Sequence, residues 1–84
     1  MTKSPKLGEI VIIPGNWDIP VQIQAISYKW DIQDIAVIWA KSDEYNQITA
    51  EYDIRRQEYV NVQIWTNTEE AVISHVNRAF GISV

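Results

Sequence analysis

Hydrophobic and polar positions change their spacing once along this chain. From Gly8 to Trp65 apolar residues come in short strand-length runs cut by Pro, Gly, Asn and Asp. From Thr66 to Gly81 they recur at helical spacing. The runs are Gly8–Pro14 (GEIVIIP), Val21–Tyr28 (VQIQAISY), Ile35–Lys41 (IAVIWAK), Gln47–Ile54 (QITAEYDI) and Tyr59–Trp65 (YVNVQIW). Pro14-Gly15-Asn16 ends the first run, and Pro20 can open the second without losing a needed donor. Lys29–Asp34 is a polar connection that carries Trp30. Ser42–Asn46 is a turn, which makes the third and fourth runs a hairpin. Arg55–Glu58 interrupts the β pattern as a charged turn.

The faces follow from the period of two. Val21, Ile23 and Ala25 share one side and Gln22 and Gln24 the other. The alternation falters at Ile26, which points to a bulge or to cover on both faces. The run at Ile35 is the most apolar and is placed centrally. Ile48, Ala50, Tyr52 and Ile54 face the core, with Thr49, Glu51 and Asp53 toward water. In the last run Val60, Val62 and Ile64 form one row, and Tyr59, Asn61, Gln63 and Trp65 the other. Thr66 with Glu69 fits a capping box, Asn67 is a competing N-cap, and Gly81 can supply the left-handed stop. Glu69 and Glu70 suit the positive end of the helix dipole. Val72, Ile73, Val76, Ala79 and Phe80 then form the apolar stripe. Val76 and Phe80 are the expected anchors, on Tyr59 and Trp65; the alternative is that the Tyr59, Asn61, Gln63 and Trp65 face is a protein–protein surface covered by a partner.

The predicted fold class is mainly β with one C-terminal helix. A twisted antiparallel sheet of four to five strands curls into a barrel or half-barrel, and a helix follows over 66–80. Residues 1–6 form a flexible tail, and 7–84 a single domain with its β part at 7–65 and its helix at 66–81. The expected core is Ile10, Ile12, Val21, Ile23, Val37, Trp39, Tyr52, Val60, Val62, Val76 and Phe80.

Composition agrees with one small domain. The 84 residues are 46% hydrophobic and include four Trp and four Tyr, which lets few side chains supply much of a core. There is no Cys, which removes disulfides, thiolate chemistry and Cys-ligated zinc. No apolar run approaches the roughly 20 residues that span a bilayer, and Met1–Lys6 lacks a signal-peptide core. A cytoplasmic location is the expectation. Seven Lys and Arg stand against eleven Asp and Glu, a net charge of −4. Nucleic-acid binding by counterion release needs a basic footprint, and Arg55-Arg56 is the single basic pair.

The cadence of strands and turns resembles a known family. A Gly-led first strand with a Pro exit (GEIVIIPG) precedes a long strand (PVQIQAISYKW). A strand ending in an aromatic enters an acidic turn (AVIWAKSDEYN), and a short charged turn leads to a Val-rich last strand (EYDIRRQEYVNV). Over Leu7–Val62 this is similar to small bacterial SH3-like barrels of the Tudor and KOW type. The resemblance implies a ligand surface lined by loop aromatics, which here are Trp17, Tyr28, Trp30 and Tyr45. The acidic balance departs from the KOW-type RNA binders, and the helix from the minimal barrel.

No catalytic, metal-binding or phosphate-binding constellation is present in the sequence. His75 is the only His and flanks the apolar stripe, where a packed ring is the better reading than a general base. Asp31, Asp34, Asp43 and Glu44 lie in two loops that could meet at one end of a barrel. They lack the spacing and Gly of a calcium loop and read as solvated turn residues. No metal and no cofactor is therefore assigned. Trp17 and Trp30 sit in polar loops where core packing is hard to arrange, so both are expected at the surface.

Four functions compete. The leading expectation is a non-enzymatic protein-binding module or regulatory subunit. It docks a larger protein through Trp17, Tyr28, Trp30 and Tyr45, with Asp31, Asp34, Asp43 and Glu44 as an acidic rim that suits a basic partner. The alternative is an acidic inhibitor or nucleic-acid mimic of the phage or mobile-element type. A small enzyme fails for want of a nucleophile, base and oxyanion set, and KOW-like RNA binding is disfavoured by charge.

Overall fold

The structure, a computed structural model, describes residues 4–43 and 46–81. Five strands, β1 (Ile10–Ile12), β2 (Pro20–Tyr28), β3 (Ile35–Lys41), β4 (Gln47–Asp53) and β5 (Glu58–Trp65), precede α1 (Thr68–Phe80). They form one antiparallel sheet in the order β1-β2-β3-β4-β5. The sheet curls into a half-barrel whose outer strands, β1 and β5, do not pair. The inner face holds the apolar core, built from Ile13, Val21, Ile23, Ala36, Ile38, Ala40, Ile48 and Tyr52.

Two bulges set the curl and reassign side chains. In β2, Ile23 faces Ala40 and Ala25 faces Trp39, so Gln24 is an extra residue. Beyond it Ala25 leaves the inner face and Ile26 enters it, beside Ile38. In β5, Gln63 faces Thr49 and Val60 faces Glu51, which leaves Asn61 and Val62 both opposite Ala50. Asn61 takes the left-handed φ of 52° that this bulge needs. Tyr59 and Trp65 therefore lie on opposite faces, not in one row. Tyr59 sets its ring edge-on to Tyr52, 4.9 Å between centroids, while Trp65 stands beside Gln47.

Several expected core positions are corrected. The inward residues here are Val11 of β1 and Ile13 just beyond it, and Ile13 is fully buried. A period of two then turns Ile10 and Ile12 to solvent, where Ile10 is 69% exposed. Val37 is buried but under the helix, and Trp39 and Val60 are half-buried on that same outer face. At the chain start, Ser4 and Pro5 are half-buried, and the Glu9 N–H donates to Lys6 O at 3.0 Å.

The largest correction concerns α1. Asn67, not Thr66, is its N-cap: the side chain accepts from the N–H of Glu69 at 2.8 Å and of Glu70 at 3.3 Å. The helix ends at Gly81, φ 72°. Its buried residues are Ala71, Ser74, His75 and Ala79, which pack on the outer face of β3, β4 and β5. Ile73, Val76 and Phe80 project from the other side, about half a turn away at 3.6 residues per turn. Phe80 is 63% exposed. Thr49 and Glu51, expected in water, are buried beneath the helix.

This arrangement inverts the expected energetics of two sites. Phe80→Ala should cost under about 0.5 kcal/mol, as for surface changes generally. Ile38→Ala, at a site with no exposure, should cost about 2–5 kcal/mol. Urea unfolding of the two variants checks the order.

Candidate docking surface

The sheet face beneath the helix has a polar row along β4, flanked by Val37, Trp39 and Val60. Gln47, Thr49 and Glu51 are consecutive outward positions of β4, and all are buried. A buried polar group without a partner costs roughly 1–3 kcal/mol. Each finds one. The Trp39 indole donates to Gln47 Oε1 at 2.8 Å, and Gln47 Nε2 donates to Thr68 Oγ1 at 2.9 Å. The Trp65 indole donates to Thr49 Oγ1 at 2.8 Å, and Ser74 Oγ lies 3.5 Å from the same hydroxyl. Small residues at 71, 74 and 79 let the helix approach closely. Laying Ile73, Val76 and Phe80 on this face would strand those groups.

Two cations are drawn into the same layer. Lys29 Nζ lies 2.9 Å from Glu51 Oε1, and Asn61 Nδ2 donates to Oε2 at 2.7 Å. Burial alone would raise the Glu51 pKa, but these two hydrogen bonds and the Lys29 and Arg78 charges hold it below its ordinary value. Arg78 donates to Asn61 O at 2.6 Å and to Gln63 Oε1. Glu51, expected toward water, is therefore an interior anchor. Arg55 instead pairs with Asp34 at 3.0 Å.

Ser27 Oγ lies 3.1 Å from His75 Nε2, a serine–histidine contact that the sequence did not suggest. His75 is only 5% exposed, and its Nδ1 is buried with no hydrogen-bond partner among the described residues. A general base needs an orienting group and access for substrate, and this ring has neither. Burial pushes its pKa below 6.5; the Ile38 backbone pulls it up and the Arg78 charge pushes it down, both less strongly.

The expected site residues divide between two ends of the sheet. Successive hairpin connections of a meander alternate ends, so Trp17 and Asp43 lie at one end and Tyr28, Trp30, Asp31 and Asp34 at the other. The acidic loops at Asp31 and Asp43 thus do not meet. Trp17 is 79% exposed and Trp30 66%, and Tyr28 is also exposed. Trp17 and Asp18 both hold left-handed φ, 49° and 56°, after the buried Asn16. Asp43 caps its own turn, accepting from Asn46 N at 2.7 Å. Glu44 and Tyr45 lie outside the described residues.

Trp30 is the one predicted aromatic joined to the helix. Its N–H donates to Ala79 O at 2.9 Å, and its indole lies against Gly81. It thereby stands exposed at the C-terminal end of α1. Beside Ile73 a groove of about 430 Å³ runs between α1 and β5, with Trp65, Gln63 and Glu70 in its walls. Sequence reasoning missed this surface because Val72, Ile73, Val76 and Phe80 have the spacing of a core stripe. The signal that marks it is the second stripe, Ala71, Ser74/His75 and Ala79, small enough for close packing on a face that carries Gln47, Thr49 and Glu51.

A separate cleft of about 910 Å³ opens between β1 and β5, walled by Val11, Ile12, Tyr52, Tyr59, Glu9 and Glu58. Burial, with smaller pushes from Tyr52 and Glu9, raises the Tyr59 pKa to about 12, so the phenol stays neutral. None of the described site residues expected from the sequence lines it. Among the described residues no three His, Cys, Asp or Glu are grouped to hold a metal, and no helix is long and apolar enough to cross a membrane. Compared with known proteins, the chain matches no family model, no curated protein and no solved structure.

Two predictions follow from this geometry. His75 has a folded-state pKa below 6.5, so its neutral form is favoured on folding. Its contribution is complete above about pH 6.5 and is lost as pH falls through that value toward the folded pKa. Denaturant titrations across this window should show falling stability that His75→Gln abolishes. At Gly81 an added Cβ would collide with Trp30 Nε1, at a left-handed φ. Gly81→Ala should cost about 1–2 kcal/mol and shift the Trp30 emission.

Proposed function

We propose that this protein is a non-enzymatic docking module that binds another protein through the outward side of α1 and Trp30. The observation that carries the reading is the reversed helix. Its side of small residues, Ala71, Ser74, His75 and Ala79, is committed to the sheet, which leaves Ile73, Val76 and Phe80 in one exposed row, with Trp30 exposed at the end of the helix. Contiguous apolar surface of this kind marks interaction sites, and aromatic residues dominate interface energetics. Trp30, Tyr28 and Asp31 keep the role expected of them. Trp17 and Asp43 lie at the end of the sheet where α1 begins, away from Trp30, and are given no role in this reading. A cytoplasmic location and an SH3-like class for the half-barrel are part of the same proposal.

The test is capture by chemical cross-linking from native cells, comparing the wild type with Ile73→Asp and Trp30→Ala. Both variants should lose the captured protein while keeping the wild-type melting temperature, since both side chains are exposed. Capture that survives both changes but fails on Trp17→Ala would move the site to the opposite end. Capture that fails only on Tyr59→Ala would move it to the β1–β5 cleft.

A further inference from the structure

We propose that the cleft between β1 and β5 takes an extended segment of another protein as a further strand, paired through its backbone on both sides; the assignment does not rest on α1. The free edge of β1 carries it. The Ile23 N–H donates to Glu9 O at 3.0 Å, and Val11 stands opposite Val21. Residues of an antiparallel pair alternate between exchanging both hydrogen bonds and exchanging none. Val11 therefore bonds to Val21, and the N–H and C=O of Ile10 and Ile12 point away from β2. Pro20, opposite Ile12, has no N–H to give, as that alternation requires. Nothing else among the described residues bonds to the main chain of Ile10 or Ile12. Free edges are commonly blunted by charge or by Pro within the strand, and β1 (IVI) contains neither.

Strand direction says what fits. Each strand is antiparallel to the next, so β1 and β5 run parallel to each other. A segment laid between them in the opposite direction pairs antiparallel with both, and closes the barrel that the five strands leave open. β5 lines the cleft with Glu58 and Tyr59; farther along, the Asn61 carbonyl is taken by Arg78. Alternate side chains of the segment point inward, onto Val11, Tyr52 and Tyr59, and so are apolar. Lys6, Glu9 and Glu58 gather where β1 and β5 begin, and their mixed charge selects neither an acidic nor a basic segment. The complementarity is that of backbone dipoles, donor against acceptor, which an extended main chain repeats at this spacing. A helix spends its backbone groups on itself. A second copy of the chain does not fit either. Its β1 is bonded along one edge to β2 and its β5 to β4, so each has one edge free where the cleft asks for two.

The probe is an acetylated, amidated peptide of about seven residues, long enough to overrun β1, with Val and Thr alternating. Amide hydrogen exchange on the full chain is followed by NMR as the probe is added. At saturating probe the Ile10 and Ile12 amides should slow at least about tenfold, while Val11, already bonded to Val21, changes little. Two further peptides carry N-methyl groups on alternate residues, one peptide for each edge, and lack the donors of that edge as Pro does. Both should lose at least about tenfold in affinity by calorimetry. The methyl groups leave the protein untouched, so a folding defect cannot imitate that result. Ile73→Asp should bind the unmodified probe as the wild type does; loss of binding there places the peptide on α1 and overturns the proposal. Unchanged exchange at Ile10 and Ile12 also overturns it. Affinity that survives methylation of either edge overturns pairing on both sides. Slowing at Ile10 and Ile12 that appears without probe as protein concentration rises overturns it in favour of a second copy.

Discussion

β4 is buried on both faces, and the rest of the molecule answers to its outer one. Ile48, Ala50 and Tyr52 point into the apolar core, and Gln47, Thr49 and Glu51 point the other way. Polar groups in the middle of a sheet can stay near water, or they can be covered by something that satisfies them. Here they are covered. Thr68, Ser74, the two indole N–H groups, Lys29 and Asn61 are each placed by that demand. The β5 bulge serves it too, since the register shift at Asn61 brings its amide onto Glu51.

A helix docked on such a face gains little hydrophobic energy from its own side chains, because Ala71, Ser74, His75 and Ala79 offer small apolar areas. Its attachment is instead a set of hydrogen bonds, an Asn67 cap, a Gly81 stop and the Trp30–Ala79 link at the far end. Hydrogen bonds contribute roughly 0.5–1.5 kcal/mol each and are direction-dependent. They fix the helix's rotation more sharply than apolar packing would. That sharpness keeps Ile73, Val76 and Phe80 outside, although rolling inward would bury more apolar area.

Much of the fold was legible in the sequence. Strand boundaries came from Pro14-Gly15-Asn16, from the Asp43 turn and from Arg55–Glu58, because turn residues impose local backbone states whatever the tertiary context. The helix stop at Gly81 was legible for the same reason. Faces were less legible. A period of two gives two sides but no sign, so β1 was turned the wrong way, with Val11 and Ile13 taking the inner places assigned to Ile10 and Ile12. Gln24 and Asn61–Val62 each insert one residue, and one inserted residue reverses every side chain beyond it. The separation of Tyr59 from Trp65 follows from that. Of the site, Trp17 and Trp30 were found as exposed loop aromatics, but their placement at opposite ends required the strand order.

The helix shows why an apolar stripe is an ambiguous signal. Apolar spacing says which residues avoid water in the working protein, and it says nothing about whether the same chain provides the cover. Chemical match decides that. A stripe belongs against its own sheet when the sheet face is apolar, as Ile38 and Ile48 are on the inner side. When the facing positions are Gln47, Thr49 and Glu51, the stripe that matches them is the one carrying Ser74 and Thr68, and the apolar stripe is left over. Retaining Ile73, Val76 and Phe80 on the remaining side costs solubility and gives the monomer nothing in return. A surface that weakens the isolated molecule is the physical basis of the docking reading proposed for α1.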